Sequence, residues 1–69
     1  RVGRPQESLS TRELEILRAL SSGSSNKELA KQLFISEATV KTHLIHIFQK
    51  LGVETRTAAV TVARERKLI

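Results

Sequence analysis

The run SNKELAKQLFISEATVKTHL, from Ser25 to Leu44, decides how this chain folds. Ser25 is placed to accept from the backbone N–H of Glu28 while the Glu28 side chain reaches back to Ser25, a capping box that opens a helix. Leu29, Ala30 and Leu33 then recur at helical spacing and give it an inward stripe about two turns long. Phe34 and Ile35 interrupt the pattern, Ser36 supplies the next N-cap, and Ile35 and Val40 are spaced as a hydrophobic staple around it. Two short helices joined by a turn of about three or four residues cannot lie side by side, so they cross steeply, and the small Ala30 lets them cross closely. This is helix-turn-helix geometry. Such turns often contain Gly; Phe34 stands in that region here, so either the backbone takes another path or a Phe accommodates the same one.

The flanking sequence adds two more helices. Leu9-Ser10-Thr11-Arg12-Glu13-Leu14 repeats the capping box with Ser10 and Glu13, and Leu9 and Leu14 are spaced as a staple. Leu14, Leu17 and Leu20, with Ile16 and Ala19 beside them, form an apolar face that Gly23 terminates. A longer helix follows Ser36 and stops at Gly52, and Thr55 caps a last one whose inward residues are Ala59, Val62 and Ala63. The expected helices are 11–22, 26–33, 37–51 and 56–66. Glu13 and Arg56 open the first and last of them and are expected to pair. No stretch alternates with period two, so the fold class is all-α, a compact four-helix domain containing a helix-turn-helix.

Composition agrees. Sixty-nine residues, 39% of them apolar, with two Phe and no Trp, Tyr or Met, make one domain with a small aliphatic core. Ordering the chain costs roughly 1.5 kcal/mol per residue, which leaves no margin for a deep catalytic cavity. With no Cys there is neither a disulfide framework nor a thiolate metal site. The longest apolar runs, Leu33 to Ile35 and Ala58 to Val60, fall far short of the roughly 20 residues that cross a bilayer, so no membrane partner is expected. Twelve Lys and Arg against seven Glu give a net charge of +5, which points to a polyanion. The opening RVGRPQES has neither an apolar signal segment nor a natural start. It reads as an interdomain linker over residues 1–8, ahead of the helical domain over 9–69, the end of a longer protein. Without Arg1, Arg4 and Glu7, ten basic and six acidic side chains remain, so the excess belongs to the fold.

At 100° per residue the third helix separates two faces. Val40, Leu44, Ile47 and Leu51 cluster inward with Phe48 at their flank, while Ala38, Thr42, Ile45 and Gln49 face outward, bordered by Lys41 and His46. No acid follows Glu37 on this helix, which suits entry into a major groove. Lys41 and Thr42 are the leading candidates for base edges; Lys41 has the reach for guanine O6 and N7 or for a phosphate. Ile45 and Ala38 are similarly placed but apolar, and Ile45 can touch a thymine methyl. Ser25, Asn26, Lys27, Ser36 and Thr39 sit at helix starts, where free N–H groups and the dipole favour phosphate, although capping alone accounts for the hydroxyls. His46 is a further phosphate-side candidate, as is Lys50, unless it is simply solvated at a helix end. His43 and His46 are three apart, yet a metal site needs a third ligand and none shares their face, so neither metal nor cofactor is expected. His43 reads instead as a residue at the edge of the core. No Cys, Asp or Gly-rich phosphate cradle supports nucleophilic catalysis, and the chain does not read as an enzyme.

The runs LSTRELEILRAL, SNKELAKQLFISEATVKTHL and KLGVETRTAAV resemble the DNA-binding domain of LuxR-type transcription factors, also called the NarL/FixJ or GerE-like class. The resemblance covers essentially everything after residue 8. It implies a bacterial, cytoplasmic transcription regulator, nucleoid-associated when bound, in which a four-helix domain follows a receiver or ligand-sensing domain. A two-component response regulator is the leading form. It also implies binding to double-stranded DNA as a dimer, with the third helix reading bases at the positions of Lys41 and Thr42 and the fourth self-associating. RNA polymerase is a further candidate partner. Ile45 departs from the pattern, since members often carry a basic or polar residue there. On the fourth helix Val60, between Arg56 and Lys67 on the wheel, forms the expected homodimer contact. Two other readings compete: a sigma-factor promoter-reading domain, against which LGVETRTAAV and the fourth helix argue, and a basic module that docks on acidic protein or a membrane surface.

Overall fold

The structure is a computed structural model and describes residues 9–69; the expected linker over residues 1–8 lies outside the described residues. Four helices follow in order, α1 (Thr11–Ser21), α2 (Asn26–Leu33), α3 (Glu37–Leu51) and α4 (Arg56–Glu65), and no strand occurs among the described residues. The all-α expectation holds, with α1 and α4 each one residue shorter than expected.

Every helix starts on a hydroxyl. Ser10, Ser25, Ser36 and Thr55 accept from the backbone N–H of Glu13, Glu28, Thr39 and Ala58 at 3.0 to 3.1 Å. At α1 and α2 the Glu carboxylates return the bond to the cap N–H at 2.8 Å, completing both capping boxes. Each cap contributes about 1 kcal/mol by occupying amide donors that the first turn cannot satisfy internally.

The four ends are equally uniform. Each closes through a residue with positive φ: Gly23 at 90°, Phe34 at 59°, Gly52 at 71° and Lys67 at 58°. Around each, the next residue's N–H bonds back five positions, Ser24 to Ala19, Ile35 to Ala30, Val53 to Phe48 and Leu68 to Ala63, at 2.8 to 3.0 Å. This paired closure is the Schellman motif. It answers the question posed by the missing turn glycine: the backbone takes the left-handed path, and Phe34 adopts it with its side chain 93% exposed.

α3 is the centre of the packing. Its Val40, Leu44, Ile47 and Leu51 are buried, as the wheel requires, and meet Leu29 of α2 and Ala59 and Ala63 of α4, with Ile16, Leu17 and Leu20 of α1 completing the core. Small alanines on α4 let it approach closely, while Ala30, Leu33, Ile35, Phe48 and Val62 pack at the margin. The inner stripe of α1 differs from the expectation. Glu13, not Leu14, precedes Ile16, Leu17 and Leu20 on the buried side, and Leu14 is half-buried. Glu13, Leu17 and Leu20 are spaced i, i+4, i+7, so a carboxylate occupies a core-facing position.

A left-handed backbone costs a non-glycine residue roughly 1–2 kcal/mol, against about 0.5–1 kcal/mol of extra chain entropy that glycine loses on folding. With no buried area at Phe34 to lose, Phe34→Gly is expected to be neutral or up to about 1 kcal/mol more stable. The β-branched Phe34→Val is expected to be less stable than the parent. Urea midpoints of the three chains check the order.

Candidate nucleic-acid interface

The face of α3 opposite the core presents Ala38, Lys41, Thr42, Ile45, His46 and Gln49, all exposed. Ile45 is 55% exposed, a large apolar side chain left in water in the middle of this face. Glu37 is the only acid on α3 and lies at its first position. His43 is half-buried, as its place at the edge of the core requires. The Thr42 hydroxyl donates to the Ala38 carbonyl at 3.2 Å. Its proton is thereby used within the helix, and the oxygen faces other partners as an acceptor.

The starts of α2 and α3 carry the other candidate residues. Ser25 and Ser36 accept from backbone amides as caps, and Ser36 Oγ is also 2.9 Å from Thr39 Oγ1. Capping engages the Ser25 oxygen as an acceptor and leaves its hydroxyl proton to donate. Lys27 is exposed. Asn26 is half-buried, and its Oδ1 is shielded without a hydrogen-bond partner, so its amide protons are what it can offer an anion.

Two expectations about ion pairs are corrected. Glu13 does not pair with Arg56: its Oε1 accepts from Lys50 Nζ at 2.7 Å and from the Ser10 N–H at 2.8 Å. Arg56 Nη1 donates to the Ser24 carbonyl at 3.3 Å, tying the start of α4 to the α1–α2 turn. Lys50, expected at a phosphate, turns its ammonium to the interior face of α1. Burial acts to raise the Glu13 pKa. The hydrogen bond from Lys50, the Ser10 N–H, the Lys50 charge and the Ser10 hydroxyl outweigh it and hold the carboxyl below its ordinary 4.5.

On α4, Arg56 and Val60 line a shallow groove of about 380 Å³ with Thr57 and Arg64, facing Leu20 and Gly23 of α1 and its turn. No residue of α3 lines it. Lys67 lies past the last turn in the left-handed conformation, so the wheel that set it beside Val60 does not extend to it. Among the described residues no cluster of three or more His, Cys, Asp or Glu could hold a metal, and no helix is long and apolar enough to cross a membrane.

Comparison with known proteins places this helix pair in a family. The family described as "Bacterial regulatory proteins, luxR family" matches residues 7–63. The chain belongs to the luxR family. It is a luxR-family helix-turn-helix DNA-binding domain, and its relatives are transcriptional regulators. It is 48% identical over 65 residues to the transcriptional regulatory protein LiaR of Bacillus subtilis, covering 94% of this chain and 31% of that protein. It is 54% identical over 57 residues to the CsgBAC operon transcriptional regulatory protein of Escherichia coli, covering 83% and 26%. The crystal structure of the response regulator ChrA of a heme-sensing two-component system superposes with a TM-score of 0.90 at 62% identity, over 99% of this chain and 34% of that one. The luxR-family domain thus spans about a third or less of the length of these proteins.

The Glu13 shift has a pH consequence. A carboxyl whose folded pKa is depressed adds stability that is complete above its unfolded value of 4.5 and is lost as pH falls through the lower folded value. Glu13→Gln is therefore expected to flatten the fall in stability below pH 4.5 relative to the parent chain. Urea unfolding between about pH 3 and 6 measures this, and parallel profiles for the two chains would contradict it.

Proposed function

We propose that this luxR-family domain binds double-stranded DNA sequence-specifically, with α3 in the major groove, as the C-terminal output domain of a receiver-containing response regulator. The observation that carries the reading is the exposed outer face of α3, which holds no acid after Glu37. A solvated helix surface usually mixes both signs of charge, whereas a face meeting DNA excludes carboxylates. Lys41 is the base-reading cation. Thr42, its proton committed to Ala38, reads as an acceptor suited to the amino group of adenine or cytosine. Ile45 and Ala38 supply apolar contact, Ile45 to a thymine methyl. Ser25, Asn26, Lys27, Ser36, Thr39 and His46 face the phosphates, which set register without reading sequence.

The domain acts as a homodimer on DNA. The half-buried Val60 and Arg56, which line the groove on α4, form the contact, and Lys67 extends it beyond the helix. Two recognition helices related by this contact read half-sites about 10 bp apart, one turn of the duplex. The regulator works in the bacterial cytoplasm, with RNA polymerase as a further partner of the complete protein. The relatives support this reading through the names they carry, which are those of transcriptional and response regulators.

Lys41→Ala and Thr42→Ala are expected to weaken binding to a selected operator by about 1–3 kcal/mol, and Lys27→Ala to weaken all duplexes alike and reduce the salt slope by about one. Gel shifts on selected and scrambled DNA separate the two, and equal losses on both for Lys41→Ala and Thr42→Ala would remove their base-reading roles. Replacing one operator thymine by uracil, which lacks the methyl group, is expected to weaken the parent chain but not Ile45→Ala.

A further inference from the structure

We propose that Glu13 is a positioning residue for DNA recognition: its buried carboxylate, shared between Ser10 and Lys50, fixes where α3 lies against α1. The proposal rests on the reading of α3 as the recognition helix.

Glu13 is the one buried charged residue among the described residues, 5% exposed. It stands in the first turn of α1, and its Oε1 takes both the Ser10 N–H and the ammonium of Lys50, in the last turn of α3. Desolvating a carboxylate and an ammonium is unfavourable enough that an apolar pair of the same volume is often no less stable, so net stability does not explain the pair. Geometry does. The inner face of α3 is purely aliphatic at Val40, Leu44, Ile47 and Leu51, and aliphatic packing is non-directional. A charge-assisted hydrogen bond at 2.7 Å is directional and short. It ties one end of α3 to the one end of α1 that its own capping box makes rigid.

The lever is long. Lys50 lies eight residues after Thr42 and nine after Lys41, about 12–14 Å along the helix at 1.5 Å per residue. A rotation of α3 by about 10° at its Lys50 end carries Lys41 roughly 2 Å, against the roughly 0.5 Å within which a binding constellation must be held. The same geometry explains why Lys50 is turned inward: its charge acts on the placement of the helix and is not directed at a phosphate.

The test uses the 69-residue chain and a duplex that the parent selects from a random pool, with scrambled DNA for comparison. Glu13→Gln keeps an acceptor for Ser10 but removes the charge; Lys50→Met removes the other partner. Well below the melting temperature, each is expected to lose about tenfold in the ratio of selected to scrambled affinity with the salt slope unchanged. The double variant is expected to lose no more than either single one, because both remove the same contact. Ala59→Gly, which weakens the core on α4, is expected to keep the ratio. Overturning results are an equal loss by Ala59→Gly, or a Lys50→Met that lowers both affinities together and reduces the salt slope by about one. Residual dipolar couplings of the free chains give the α1–α3 angle directly, which is expected to change in Glu13→Gln. An unchanged angle overturns the proposal even where the parent fails to discriminate between duplexes, an outcome that would by itself overturn only the DNA-recognition reading.

Discussion

Helices of eight to fifteen residues do not persist alone in water, because nucleation is unfavourable and few bonds follow it. That constraint shapes the whole domain. Each helix is held by its two ends and by one shared aliphatic core, and the longest, α3, supplies the largest share of that core. Hydroxyl caps set where the chain enters a helix, and left-handed closures set where it leaves. The core has only to choose among the few arrangements those ends allow. Because the inner face of α3 carries the packing, its outer face has no structural duty, and a polar, acid-free surface survives there without loss to the fold.

The starts and the stops differ in how far local sequence reveals them. All four starts lie in short local patterns, Ser10 with Glu13, Ser25 with Glu28, Ser36 before Glu37 and Thr55 before Arg56, and each appears where the pattern puts it. Gly23 and Gly52 announce two stops in the same way. Phe34 and Lys67 do not, since nothing local tells an aromatic or a lysine in the left-handed region from one in a helix. The outer face of α3 is legible because helical phase alone determines it. The partner of Glu13 is not: Lys50 is 37 positions away, and choosing it over Arg56 requires knowing how α1 crosses α3. The same step hides the burial of Glu13 itself, since a wheel drawn on apolar residues assigns its place to Leu14.

The net charge also resolves into separate parts. Lys50 is neutralised within the fold and Arg56 is half-buried against a carbonyl, so two of the ten basic side chains from Leu9 onward belong to the framework. Lys41 and His46 are exposed on α3 and Lys27 at the start of α2, whereas Arg64 and Lys67 are exposed at the end of α4. A bulk charge of +5 therefore overstates what any one partner meets, and the arrangement of helices decides which few cations act together.

The turn at Phe34 separates two properties that usually travel together. The crossing of α2 and α3 is held by backbone bonds from Ile35 to Ala30 and from Phe34 to Lys31, and the aromatic ring takes no part in it. The position is thus open to exchange: a lineage can repaint the outside of the turn, trading a ring for a polar or minimal side chain, and pass on the same angle between helices. What the side chain there meets and the angle beneath it are set by different parts of the residue.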